Sequence, residues 1–299
     1  MKLIYSQLYT IEVAHKFRTE KFQRTCELLI KKRVIKSENI IEPEMPREDD
    51  LLLAHSAVWV KKVLDMKLTP ADQLTAEMPV NKDVIFAHLL HCGGTMLACD
   101  IALKEGLGLH CGGGGHHAHK NYGAGFCLIN DLAVAAKKTL KNFPGKRILI
   151  IDLDAHQGDG TADIMAREKN VFTFSIHSKN IYPEKKSRSS MDIEMDSGTK
   201  GDVYNSILSQ ALERIFDSFS PQFVFYNAGA DVYEKDTLGD LKLSLRDIEE
   251  RDSIVFEKVR KAGLPLVLTL SGGYCADVDE TVKIHFNTIK KAVEILGSN

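Results

Sequence analysis

The sequence predicts a doubly wound α/β protein: a mostly parallel sheet with helices on both faces. Three observations predict it. Short, continuously apolar runs alternate with longer segments of helical periodicity, and strands apolar on both sides belong to sheets covered twice. The order strand-then-helix recurs along the chain, as crossovers between parallel strands require. Four of the apolar runs end in glycine and polar side chains, and ligands of such sheets bind outside the carboxyl ends of the strands.

In chain order, the apolar runs are 3–5, 107–110, 148–153, 171–176, 223–226 and 266–270. Helical patterns cover 18–33, 47–65, 83–105, 128–142, 160–168, 202–218, 244–262 and 278–296. Segments 40–49, 66–81 and 179–200 read as loops. No repeat, low-complexity tract or Gly/Ser/Pro linker interrupts the 299 residues, so a single domain over 1–299 is expected.

A hydrophobic content of 44% supplies a sizeable core. The formal net charge of −2 offers no bulk attraction to nucleic acid or to an anionic membrane. Six cysteines without a C-x-x-C pair read as reduced thiols. The first residues, MKLIYSQLYTIEVAHKF, lack a signal peptide's apolar stretch and cleavage site, and no apolar run approaches a membrane span. These features predict a cytoplasmic protein with neither nucleic acid nor membrane as partner.

The chemistry concentrates after four strands. RILIIDLDAHQGDG (147–160) sets Asp152 and Asp154 in or against a run of Ile and Leu. Residues two apart on an extended chain share a side, so Asp152, Asp154 and His156 face one way if the strand continues. Burying two carboxylates there is costly without a metal or hydrogen bonds. Two carboxylates and an imidazole suit a divalent metal, and Asp231 in NAGAD offers a third ligand beside Asp154 and His156. Taken singly, Asp131, Asp159 and Asp163 read equally well as caps or turn residues. Lone histidines such as His55, His88, His91 and His285 read as packing.

His116-His117 follows Gly112–Gly115, but no Lys-Ser/Thr follows as a phosphate loop requires. Beside a metal, one histidine can move a proton from water to a leaving amine, or both can be ligands. Ser271-Gly-Gly-Tyr274 ends the last strand. Its phenol could stabilise a developing oxyanion, or simply pack over the turn.

Together these motifs resemble the zinc-dependent histone deacetylase family of the arginase/deacetylase-like fold, most nearly class IV deacetylases and their bacterial relatives. The matching segments are GGGGHHAHKNYGAGFCLINDLAVA (112–135), ILIIDLDAHQGDGT (148–161), FVFYNAGADVYEKDTLGDLKLS (223–244) and LTLSGGY (268–274). The resemblance implies that Asp154, His156 and Asp231 hold zinc, with Fe2+ or Co2+ as alternatives. It implies that His117 is the general acid/base and His116 its electrostatic partner. Asp152 would orient His116, Asp159 would orient His117, and Tyr274 would polarise the scissile carbonyl. Gly125, Phe126 and Leu238 would line the substrate channel. A potassium ion would lie against Asp152, Asp154, His156, Ser175 and Ile176. The implied activity removes acetyl or longer acyl groups from lysine in proteins or peptides. The alternatives are hydrolysis of an acylated small amine and a non-catalytic binding protein.

A two-manganese arginase-type site needs further carboxylates. Here D-A-H is followed by Gln157-Gly158, and Asp231 by Val232-Tyr233, so both extra ligands are missing. Asp277-Val-Asp279 lies past the tyrosine and reads as a helix start.

Overall fold

In Ile148–Asp152 (β4), Leu149 and Ile151 enter one core while Ile148 and Ile150 enter another. The same alternation separates Val224 and Tyr226 from Phe223 and Phe225 in β7 (Phe223–Ala228). A strand apolar on both sides therefore divides two hydrophobic cores, one on each face of the sheet. The computed structural model describes residues 1–13 and 15–297.

The remaining strands are β1 (Leu3–Ile4), β2 (Ile40–Ile41), β3 (Leu107–His110), β5 (Val171–Ser178), β6 (Met191–Met195) and β8 (Leu266–Leu270). All eight join one sheet in the order β2-β1-β3-β8-β7-β4-β5-β6. Every pairing is parallel. One face carries α1 (Glu20–Lys31), α8 (Gly201–Phe219), α9 (Leu245–Ala262) and α10 (Val278–Leu296). The other carries α2 (Glu48–Leu51), α3 (Ala57–Leu64), α4 (Pro70–Ala76), α5 (Lys82–Glu105), α6 (Asp131–Asn142) and α7 (Asp159–Met165).

Three segments expected to be loops hold short elements. β2 and β6 are the two edge strands, and their pairing partners decide them more than their own sequence does. α4 starts at a capping box: Thr69 Oγ1 accepts from Asp72 N (3.2 Å) and Asp72 Oδ2 from Thr69 N (2.8 Å). The helix expected over 47–65 is two helices, because Ser56 caps a new start by accepting from Trp59 N.

α5 is long and apolar enough to cross a membrane, with a mean hydropathy of 1.5 over its central window, contrary to the expectation that no run comes close. Here 83% of that window is buried inside the protein, so it serves as a core helix. Asp277 does start a helix: its side chain accepts from Asp279 N as the cap of α10.

Candidate active site

β3, β8, β7 and β4 are consecutive at the centre of the sheet. Being parallel, they release their carboxyl-terminal loops at one edge. GGGGHH, SGGY, NAGAD and DAHQGD, far apart in the chain, therefore meet.

The ligand atoms of Asp154, His156 and Asp231 all lie within 4.8 Å of one another, and all three residues are buried. Backbone N–H groups aim the carboxylates: Gly272 N donates to Asp154 Oδ2 (2.8 Å) and Ala155 N to Asp231 Oδ1 (2.8 Å). His156 Nδ1 lies 3.1 Å from oxygens of both aspartates. Gly272 is required here, since a Cβ would sit 2.0 Å from Asp231 Oδ2. Burial and the Asp154 charge push Asp231 up to about 7. Burial also opposes the Asp154 carboxylate, yet His116 and His156 hold it well below the usual range. Two buried, mutually repelling carboxylates and an imidazole, already oriented, fit a divalent cation.

The two histidines each find an aspartate. His116 Nδ1 donates to Asp152 Oδ2 at 2.7 Å, and His117 Nδ1 to Asp159 Oδ1 at 2.6 Å. Asp152 Oδ1 is fixed in turn by Asn227 Nδ2 (3.1 Å). The environments split the pair. Burial works against a charge on His116, but Asp152 and Asp154 outweigh it and raise the group to about 9. Burial, reinforced by the His116 charge, lowers His117 to about 4. His117 is thus neutral and basic beside a charged neighbour at neutral pH.

A tunnel of about 180 Å³ leads to these groups, lined by His117, Gly125, Phe126, His156, Leu238 and Tyr274, together with Glu77 and Tyr182. Gly125 has φ +50°, and a Cβ there would sit 2.5 Å from the His117 ring. Burial and the nearby Asp154 and Asp231 charges hold the Tyr274 phenol well above its ordinary value, so it keeps its proton. In register, Asp152 on β4 stands opposite Ser175 on β5, two of the five residues expected to hold potassium.

A family model described as the histone deacetylase domain matches residues 15–289. The chain belongs to the histone deacetylase family. It is 36% identical over 271 residues to an uncharacterized protein of Picosynechococcus sp., covering 91% of this chain and 90% of that one. It is 34% identical over 290 residues to histone deacetylase 2 of Arabidopsis thaliana, covering 92% of this chain and 74% of that one. The crystal structure of a histone deacetylase homologue from Aquifex aeolicus shares the fold, with a TM-score of 0.81 at 23% identity, covering 99% of this chain and 88% of that one.

Several residues of this histone deacetylase-family site escape a reading of the sequence. Asp236 is buried and accepts from Leu238 N (2.8 Å), Gly239 N (2.9 Å) and Tyr274 N (2.6 Å). It ties the turn bearing Tyr274 to the loop bearing Leu238. Lys21 is fully buried and donates to Ser271 O (2.9 Å) and Gly273 O (3.4 Å), beneath the same turn. Burial lowers its ammonium to about 8, against the pull of Asp231 and Asp154. Asp131 is not the cap of α6, a role taken by Asn130. Its carboxylate accepts from Gly114 N (3.0 Å) and Gly115 N (2.6 Å) and holds the glycine loop. Asp236 lies within the segment 223–244 quoted above, but nothing in its sequence indicates three backbone partners.

Proposed function

We propose that this chain is a single-domain, metal-dependent deacylase that removes acyl groups from lysine side chains of proteins or peptides. The observation that carries the reading is the buried Asp154, His156 and Asp231 set beside two His–Asp pairs at the foot of one tunnel. Those three residues would hold Zn2+, or Fe2+ or Co2+ by availability. When bound, the metal supplies Lewis-acid polarisation and a water of lowered pKa. His117, neutral and oriented by Asp159, takes the water proton and later delivers it to the leaving amine. His116, charged and oriented by Asp152, stabilises negative charge alongside. Tyr274 donates a hydrogen bond from its hydroxyl to the carbonyl oxygen as charge develops there. Gly125, Phe126 and Leu238 enclose the apolar stem of the lysine and exclude water.

Asp152, Asp154 and His156 on β4 and its loop, with Ser175 and Ile176 on β5, would hold a structural potassium ion; the β4–β5 register favours it. Six free, buried cysteines favour a reducing compartment such as the cytoplasm.

One feature favours a second reading, an acylated small amine as substrate. Glu77 lines the tunnel, and its carboxylate would suit a second cationic group. The test is hydrolysis by zinc-loaded protein of an acetyl-lysine peptide and of an acetylated polyamine. Turnover of the peptide, abolished by a chelator, by His117→Ala and by Tyr274→Phe, is expected. Turnover of the polyamine alone moves the function to small amines. No turnover of either, with metal bound, leaves a binding protein of this fold.

A further inference from the structure

The segment after the histidine pair reads His116-His-Ala-His119. His117 and His119 are two apart on a non-helical stretch, while Asp159 and Asp163 are four apart on α7. The four-residue spacing puts Asp159 and Asp163 on one face of α7, and both histidine rings reach Asp159. The two segments meet closely: a Cβ on Gly160 would lie 2.4 Å from Ala118 O, and Thr161 N donates to His116 O (3.0 Å).

The match produces a chain of four side chains. Asp159 Oδ1 accepts from His117 Nδ1 (2.6 Å), and its other oxygen lies 3.1 Å from His119 Nε2. His119 Nδ1 lies 3.1 Å from Asp163 Oδ2. Two carboxylates on opposite ring nitrogens require both nitrogens to donate, which is the imidazolium form. His119 is buried, whereas the Asp163 side chain is 54% exposed. The His119 ring stacks on Tyr122 at 4.6 Å, and its backbone carbonyl accepts from His55 Nδ1 (3.0 Å). The titratable groups facing His119 are therefore Asp159 and Asp163 from α7 and Tyr122 from its own loop. His55, from the segment before α3, meets only the backbone. Burial opposes the His119 charge, but Asp159 and Asp163 outweigh it and raise the group above its ordinary value.

We infer that His119 is a positioning residue: held between Asp159 and Asp163, it fixes the Asp159 oxygen that serves His117 and withholds part of that carboxylate's charge from His117. The inference rests on the hydrolase reading above. A carboxylate shared between two cations stabilises each less than one it serves alone. Without His119, Asp159 serves His117 alone, the protonated form of His117 gains stability, and the base is lost at higher pH. Loss of the hydrogen bond also frees Asp159 to rotate.

The test compares zinc-loaded wild type with His119→Leu and His119→Lys, measuring kcat and KM for an acetyl-lysine peptide across pH, with circular dichroism as a folding control. His119→Leu is expected to lower kcat by about 10-fold, as loss of a group supporting a catalytic residue does. KM should change less. The acidic limb should move up by about 0.5–1 pH unit, the low end of a single charge's effect. His119→Lys restores a cation to Asp159 and should return the limb toward wild type. Nitrogen-15 shifts of His117 report the same displacement without turnover, so the inference survives or fails separately from the hydrolase reading. A folded His119→Leu protein with an unmoved limb and unmoved His117 shifts overturns it, as does displacement toward lower pH.

Discussion

Asp236→Asn tests whether the turn carrying Tyr274 must be anchored. The carboxylate accepts three backbone N–H bonds, two on Oδ1 from Leu238 and Gly239 and one on Oδ2 from Tyr274. Asparagine is nearly isosteric, so no cavity forms. With its oxygen kept on Leu238 and Gly239, its NH2 group confronts Tyr274 N–H, and a donor meets a donor. A hydrogen bond to a charged group contributes about 1.5–3 kcal/mol. If all of that is felt in the transition state, kcat falls about 10- to 150-fold, since 1.36 kcal/mol is tenfold. Removing the phenol's hydroxyl bounds the effect, because loss of an oxyanion donor costs about 100- to 1,000-fold. The assay is a double-mutant cycle on kcat with Tyr274→Phe, on zinc-loaded protein with an acetyl-lysine peptide. Groups acting through one another are not additive, so Asp236→Asn should cost little in the Tyr274→Phe background. Full additivity, or wild-type kcat in folded Asp236→Asn, refutes the reasoning.

Three further outcomes are expected. Beyond His116 and Tyr274 lies a chamber lined by His88, His91, Ile129 and Asp131, with about 30 Å³ for the centre of a water-sized sphere; one water needs about 10–15 Å³. Overfilling is costly, so kcat/KM on one lysine peptide should fall about 100-fold from acetyl to octanoyl, and equal rates would refute the chamber as the acyl site. Burial holds His55 and His88 near 4 and His110 near 3, below 6.5 for a free histidine. At these three sites the unfolded chain then binds more protons, so their contribution to stability is complete above pH about 6.5 and falls toward pH 4, by about 2–3 kcal/mol per histidine near pH 4.5; urea midpoints flat from pH 7 to 5 would contradict this. Asp131→Ala frees the N–H groups of Gly114 and Gly115 and should destabilise the fold by about 1–3 kcal/mol, while lowering kcat because the same loop carries His116 and His117; an unchanged urea midpoint would show that the loop holds itself.

By itself the sequence determined the class of fold and pointed to the residues proposed to react. Alternating apolar runs and helices specify a parallel sheet because a strand buried on both faces has no room for polar side chains. Aspartates at the end of such a run declare themselves through the cost of burying them, and DLDAHQGDG does so without a structure. The edge strands β2 and β6 were not legible, because pairing with β1 and β5 makes them strands. Nor were Asp236, Lys21, Asp131 and His119. Each acts through at least one backbone group or side chain remote in the chain, Tyr274 N in the case of Asp236, and no local period encodes such a partner. Only the tertiary structure decided that His117 is neutral while His116 is charged. The two residues are adjacent and chemically identical, and their difference comes from Asp152 at the end of β4 and Asp154 just beyond it, and from burial by the whole fold.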